Sequence, residues 1–579
     1  MTSALQKSRS AHSTSSSTEM AFPDILSSFK ENALLAAAAA LAITWYGDIA
    51  FLHEGGQRLV FISSPSLVDE VLVKQANLTS GRPKLPLFRN IMDYTKVDVI
   101  VMCRAIGGIC PIVQFWTSNG FQTIKSGLNG PNHVRQGETL FAKFDSIVIG
   151  GGLNMRLQIV VAGFVRDLDY DQVVDVLPSI VRCQGEIIDH DQKDNRAKFC
   201  PLGDPARGVV FSEGDVWSDT RRFVLTALRH FGMGKQVIAN ETKIEATLLV
   251  QEFAAKDRLS FNPARLVNRA VCNVIARITV GSRFEDSDDK VGNVISSINT
   301  IFGSDIVLIP DAPLFLLKKE RCALTHIRDF LNAEIKQHEE TFDENELRDL
   351  VDMFLAEEKG RTTDSKKQTL PSKKHIWNPF FDVFVAGTDT TSMSITWAIL
   401  FLAGLPSCQE KILLEIQKIE DSEGTVIGTN LQKMPYTLAF TTEVLRFRPV
   451  LPLGLPHVTT EDVSVRDYVI PRGTTIMANI LAIHSDPKIW GDPEVFRPER
   501  FLNADGTEFV KNKAYMPFGA GRRVCVGEQL ARMEFFIFVV TLVKHLSFCI
   551  PDGIEPNYDY GHRVTTLLPK PYEIIAKPR

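Results

Sequence analysis

Polar and apolar positions along the chain change period several times, and each period predicts an element. Residues 1–32 are mostly polar, with Ser and Thr crowding the beginning, and read as a disordered tail. Ala33 to Tyr46 is an apolar run of 14 residues. Crossing a bilayer takes about 20, so a short or truncated membrane anchor, an interfacial helix and a buried helix all fit. Ile49 to Phe51 and Arg58 to Ile62 are β-prone and flank Gly55-Gly56, which predicts a hairpin. Ser64-Pro65-Ser66 then starts a helix in which Leu67, Val68, Val71 and Leu72 fall at helical spacing. Residues 98–205 interrupt the pattern. They are rich in Gly, Ile and Val, with Gly107-Gly108, Asn129-Gly130-Pro131 and Gly150-Gly151-Gly152 as breakers. Lys243 to Ala356 is mainly helical, Ile301 to Leu317 carries Pro310 and Pro313, and Gly360 to Lys374 is a polar linker. Pro379 to Leu405 is apolar enough for one long buried helix, with helices again over Tyr436 to Phe447 and Leu530 to Val543. Tyr468 to Ile476 predicts a hairpin turning at Pro471 to Gly473, and the tail from Arg563 to Pro578 is β-prone with breaks. The sum is a mainly α fold with small β-sheets (α+β).

Composition adds bounds. The chain has 579 residues, 44% of them hydrophobic, which is enough for a large core. A net charge of -5 gives no basic signature for nucleic acid. Nine cysteines without a close C-x-x-C pair argue against a disulfide scaffold and fit a reducing compartment.

Candidate chemistry concentrates at Phe518-Gly519-Ala520-Gly521-Arg522-Arg523-Val524-Cys525-Val526-Gly527. The glycines permit a tight bulge. Cys525 falls just before the helix that follows, where unpaired N–H groups and the arginines favour a thiolate. A thiolate so held is a good axial ligand for haem iron; a buried thiol beside a basic turn is the plainer reading. In the long helix, Ala386-Gly387 leaves room for a flat group, and Asp389 and Thr390 offer polar groups to water or oxygen. A break in helical bonding there would open a water site; threonines bonded to their own helix carbonyls, on a helix packed by its small residues, are the plainer reading. Trp217 and Arg221 are four apart, as a carboxylate pocket or as an indole covered by an arginine stem. Glu443 and Arg446 are three apart on one predicted helix, and Glu528 and Arg532 four apart on another. His457 follows a proline-broken run; Arg500 and the segment His484 to Trp490 need no role on their own.

The cysteine decapeptide and the hexamer Ala386 to Thr391, in this order with Trp217, Phe231 to Lys235 and Pro456-His457, resemble the cytochrome P450 family, most closely its animal microsomal group containing drug- and steroid-metabolising members. The resemblance runs from about Tyr46 to the C-terminus. It implies the P450 fold, with haem b between the long helix and the cysteine loop. Cys525 would hold the iron, with Phe518 and Gly519 beside the haem. Trp217, Arg221, His457 and Arg523 would anchor its propionates. Asp389 and Thr390 would relay protons. Glu443, Arg446 and Arg500 would lock together behind the haem. The implied reaction is monooxygenation of a lipophilic small molecule, with electrons from NADPH–cytochrome P450 reductase and cytochrome b5 as an optional second donor. The implied location is the endoplasmic reticulum membrane, with the catalytic domain facing the cytoplasm. A haem-thiolate isomerase or dehydratase, and an inactive haem-binding protein, remain alternatives. The resemblance also divides the chain: 47–97 and 206–579 as parts of the catalytic domain, separated by an atypical block at 98–205. A retained non-coding segment of the gene model and a genuine surface insertion both account for that block.

Overall fold

Alternating burial shapes the first sheet. The computed structural model describes residues 48–54, 57–83, 208–231, 236–285, 289–304, 317–360, 376–423, 428–561 and 566–579, together with the backbone of short strands between 101 and 160. Strand β1 (Ile49–Glu54) pairs antiparallel with β2 (Gln57–Ile62), with Ile49 opposite Ile62. Val60 and Ile62 face the main core, while Leu59 and Phe61 join Ala50 and Met477 in a smaller cluster. The next helix, α1 (Pro65–Val68), starts on proline and widens over Asp69–Lys74.

The predicted hairpin over Tyr468 to Ile476 is corrected. Strand β3 (His457–Val458) pairs antiparallel with β6 (Thr475–Ala478), which runs parallel to β2. The hairpin that does form joins β4 (Val463–Val465) to β5 (Tyr468–Ile470), turning at Arg466 with φ 50°. Ile476, Met477 and Ala478 are all buried, so β6 needs cover on both faces, which an isolated hairpin cannot supply. Thr459 Oγ1 also donates to Pro471 O (2.8 Å) and accepts from Thr474 N (2.9 Å), turning the Pro471 to Gly473 corner toward β3.

Helices supply the bulk: α2 (Gly214–His230), α3 (Gln236–Ala254), α4 (Ala264–Val280), α5 (Asp289–Phe302), α6 (Lys318–Thr341), α7 (Leu350–Lys359), α8 (Trp377–Gly404), α9 (Pro406–Glu423), α10 (Pro435–Phe447), α11 (Ile480–His484), α12 (Pro487–Trp490) and α13 (Glu528–His545). Helix α8 is the axis. Ile395 to Ala403 is buried all round, as expected of a helix apolar on every face. It lies close on α4 at Gly387, where a Cβ would come within 2.8 Å of Ile275. Helix α13 is buried almost as completely and packs on α3 and α8. Strands β7 (Leu546–Cys549) and β8 (Ile575–Pro578) close the chain as an antiparallel pair.

Among the described residues no single helix is long and apolar enough to cross a membrane; α8 and α9 pass only as a pair bent by 106°. Val101–Cys103, Ile112–Thr117 and Gly120–Lys125 form one small antiparallel sheet. Two further strand pairs lie between Phe141 and Val160. The expected tail and apolar run at 1–46, Pro310, Pro313 and most of the polar linker lie outside the described residues.

Candidate functional site

The cysteine loop is shaped by two left-handed glycines. Gly519 and Gly521 take φ 76° and 75°. A Cβ on Gly521 would sit 1.8 Å from the carbonyl oxygen of Leu72, so only glycine lets the loop lie against the turns after α1. Cys525 N donates to Phe518 O (3.0 Å) and Val524 N to Gly521 O (3.2 Å), closing the loop just before α13. Phe518 is half-buried, with the Arg532 guanidinium 4.8 Å from its ring centre. Cys525 is exposed as a residue, although protein atoms crowd its sulfur. Desolvation pushes its pKa up, against the opposing pull of the Gly527 amide and Arg221.

Beside the loop stands a cluster of cations. Trp217 and Arg221 share one face of α2, and Arg221 donates to Val524 O (2.6 Å). The guanidinium carbons of Arg221, Arg522 and Arg523 lie 5.8, 5.3 and 4.2 Å from the centre of the Trp217 ring. Buried Arg82 joins them, unanticipated in the sequence. It donates to Val210 O (3.0 Å) and Pro456 O (2.5 Å). Arg523 donates to Ser80 O (2.7 Å) and Ser212 O (2.6 Å). Backbone carbonyls thus satisfy these N–H groups without neutralising the charge, which Glu213, accepting from Arg82 N, offsets in part. Desolvation and mutual repulsion push Arg523 down to about 9, and desolvation pushes Arg82 down to about 10. Trp217 Nε1 is buried without a partner.

His457 belongs to this cluster in a form other than expected. Its Nδ1 lies 2.9 Å from Thr79 O, so Nδ1 carries the proton. Desolvation, then the charges of Arg82 and Arg523, push its pKa down to about 3. A neutral ring with its proton on Nδ1 presents only a lone pair at Nε2. Donation from Nε2 to a carboxylate requires the imidazolium.

The acid and arginines behind the loop meet. Arg446 donates to Glu443 through Nε and Nη2, both at 2.7 Å, and Arg500 Nε to the same carboxylate at 3.0 Å. Glu443 and Arg446 are fully buried. His484 connects this group to the loop: its carbonyl accepts from Arg446 Nη1 (2.8 Å) and its Nε2 from Met516 N (3.0 Å). The segment His484 to Trp490, read above as needing no role, therefore joins the site. Glu528 and Arg532 pair at 3.0 Å on α13.

Helix α8 runs without a break through Asp389 and Thr390, which favours the back-bonded reading of this segment over a local opening in its hydrogen bonding. Thr390 Oγ1 donates to Ala386 O (2.7 Å) and Thr388 Oγ1 to Phe384 O (2.7 Å), the back-bonding alternative. Asp389 is buried and Thr390 half-buried. Asp382, Ala386 and Thr390 are four apart, on one face. Asp382 Oδ2 accepts from Val209 N (2.6 Å) and Val210 N (2.8 Å), tying the segment that carries Val210 O and Ser212 O to the long helix. Desolvation pushes this carboxyl up to about 6. A Cβ at 208 would be 2.2 Å from Asp382 Oδ2, so a larger residue there would displace this carboxylate. Asp382 and Arg82 were not legible in advance because their partners are over 100 residues away in sequence.

Away from this site, His338, Asp349 and Asp352 bring ligand-type atoms within 4.8 Å of one another. His338 bonds Asp349 and Arg348 bonds Asp352, so the cluster is already paired.

Comparison with known proteins bears on the whole site. The family model described as Cytochrome P450 matches residues 177–576. Similar proteins include Cytochrome P450 2U1 of Rattus norvegicus, 34% identical over 64% of this chain and 72% of its own length. Cytochrome P450 2D15 of Canis lupus familiaris is 35% identical over 65% of this chain and 77% of its own. Cytochrome P450 2U1 of Mus musculus is 30% identical over 80% of this chain and 86% of its own.

Proposed function

From the premise that this chain belongs to the cytochrome P450 family and is a monooxygenase, we propose that it inserts one oxygen atom of O2 into a lipophilic small molecule, with electrons from NADPH–cytochrome P450 reductase. Family membership implies haem b, and the residues present fit it. Arg82, Arg221, Arg522 and Arg523 form a partly desolvated positive cluster suited to two propionates, and the buried Trp217 Nε1 is a donor without an acceptor. This observation carries the reading.

Cys525 would bind the iron as thiolate. The metal's own charge outweighs the desolvation that raises the free thiol. The bound group would supply oxygen activation, assisted by electron donation from sulfur. Trp217 and the arginines would orient it, and His457 would join as an imidazolium favoured by the adjacent anion. Glu443, Arg446 and Arg500 would hold the loop from behind. Thr390 and Asp389 would hold water and pass protons; for Thr390 this means giving up its bond to Ala386 O. Gly387 and Ala386 would leave space for the flat group. Cytochrome b5 is a further candidate donor. Association with the endoplasmic reticulum membrane, catalytic domain toward the cytoplasm, follows the animal microsomal relatives.

The carbon-monoxide difference spectrum of the reduced protein tests the assignment. Wild type and Cys549→Ala should both give the long-wavelength Soret band of thiolate ligation, and Cys525→Ala should not. A Cys525→Ala protein that kept the band would overturn it. NADPH-dependent oxygen uptake separates the monooxygenase from an isomerase or dehydratase, which consumes no external electrons.

A further inference from the structure

We propose that His484 is a positioning residue that fastens the cysteine loop to the buried Glu443–Arg446–Arg500 cluster, acting as the neutral ring with its proton on Nδ1. His484 ends α11 and its side chain is fully buried. Its backbone carbonyl is held by Arg446 Nη1 at 2.8 Å. Its ring nitrogen Nε2 is 3.0 Å from Met516 N. A backbone amide only donates, so Nε2 must accept and the ring proton must be on Nδ1. An imidazolium would point N–H at N–H. Desolvation and then the Arg446 charge, against an opposing backbone contact at Arg446, lower this histidine's pKa to about 3, and Nδ1 meets no acceptor among the described residues.

The ring is fixed in plane as well. It stacks on Tyr515 with centroids 5.8 Å apart and 8° between planes, and Trp490 meets it edge-on at 6.2 Å. From Met516 the path continues to the sulfur. Met516 O accepts from Gly519 N (3.0 Å), and Phe518 O accepts from Cys525 N (3.0 Å). Arg446 and Cys525 are thus linked through a bonded chain whose side-chain joint is His484. An axial ligand must be held to within about 0.5 Å of its working position. A flat ring that stacks and also accepts is what this joint requires. Phenylalanine supplies the first property and glutamine the second.

The inference rests on the haem-thiolate reading. The full-length, haem-loaded protein is compared with His484→Phe and His484→Gln. Three quantities are read: the fraction of the reduced carbonyl complex that is thiolate-ligated, hydrogen exchange of the peptide carrying Met516, and far-UV circular dichroism. His484→Phe should keep its helical signal, lose most of the thiolate-ligated fraction, and exchange the Met516 amide ~10-fold faster or more. His484→Gln should recover part of both. A residue that merely fills the core would leave the iron–sulfur signature intact in the folded variant. Equal spectra and exchange in His484→Phe and wild type would overturn the proposal, as would a Gln variant no better than Phe. If the Phe variant does not fold, nitrogen-15 labelling of histidine in wild type decides: a proton on Nδ1 supports the proposal, and one on Nε2 or on both nitrogens at neutral pH sinks it. If wild type itself lacks the thiolate spectrum, the haem-thiolate reading fails separately, while the tautomer and the Met516 exchange still judge the joint.

Discussion

Arg82 shows how a single side chain can matter without announcing itself. Gly81-Arg82-Pro83 reads as the end of a local unit, yet its guanidinium spans carbonyls at Val210 and Pro456. Two opposed effects decide what its loss would do. Without an anion nearby, removing Arg82 relieves repulsion on Arg523. With propionates bound, it removes a charge-assisted partner worth ~1.5–3 kcal/mol. Arg82→Ala should therefore speed haem loss by ~10- to 100-fold, measured by transfer to apomyoglobin, while in the haem-free chain the relieved repulsion offsets part of the cost of two carbonyls that lose this donor. Arg82→Lys should rescue poorly, because a point charge cannot bridge both carbonyls. On the distal side, Thr390→Ala should retain haem but divert NADPH electrons to hydrogen peroxide; unchanged product per NADPH would refute the relay. Two histidines set a pH dependence. In the haem-free chain, His457 and His484 are held neutral down to about 3, whereas the unfolded chain protonates them near 6.5. Below about pH 6.5 the unfolded state binds more protons, so stability falls as pH falls, and neither ring contributes above that range. Urea titrations between about pH 7 and 5 should show the fall, and His484→Gln should flatten it.

At the scale of elements, burial changes the weight of a pair that spacing alone makes trivial. On an exposed face, Glu443 and Arg446 would contribute a few tenths of a kcal/mol. In α10 both are buried and Arg500 joins them. Glu443→Gln keeps the shape but leaves buried Arg446 without its carboxylate, while Arg500 keeps Asp492 at 3.2 Å, so unfolding should become easier by ~3–5 kcal/mol. A loss under ~1 kcal/mol in chemical denaturation would mean that the cluster is well solvated. The join of α6 to α7 has the opposite pH sign. His338 Nδ1 faces Glu334 O at 2.8 Å and Nε2 faces Asp349 Oδ2 at 2.6 Å, so both nitrogens carry protons. Desolvation lowers its pKa, but Asp349 outweighs it and the net shift is upward. Its contribution is complete below about pH 6.5 and disappears as pH rises through the raised value. His338→Gln should therefore destabilise at acid pH and cost progressively less in alkali. The same contrast explains what was legible. Helices α8 and α13 could be read because every face is apolar over many residues. Strand β6 was assigned to the wrong hairpin because its main partner, β2, runs parallel to it from over 400 residues earlier in the chain. Local turn chemistry says nothing about that pairing.

For the molecule as a whole, motif order displayed the cysteine loop, Glu443 with Arg446 and the long helix, since each is contiguous in sequence. The cradle that joins them was hidden because it is assembled from distant pieces: Asp382 with Val209, and Arg82 with Val210 and Glu213. These last contacts have a consequence for residues 98–205. Gly81 and Arg82 are held against Val458, Val210 and Glu213, although residues 84–207 intervene in sequence. The described residues on the two sides, up to 83 and from 208, therefore meet at one place, which bonds among described residues close. Removing 98–205 shortens the loop about eightfold, or three doublings, which lowers the closure cost by ~2 kcal/mol. Nothing in the arginine cluster, the cysteine loop or the cluster around Glu443 is lost with it. A chain joining residue 97 to 206 should fold, resist urea more than the full chain by up to ~2 kcal/mol, and bind haem with the same thiolate spectrum. More haem-loaded protein per chain would favour a block that hinders assembly. If the shortened chain failed to bind haem while the full-length chain bound it, the block would be an integral part of the catalytic domain, and the division at 98–205 would be wrong.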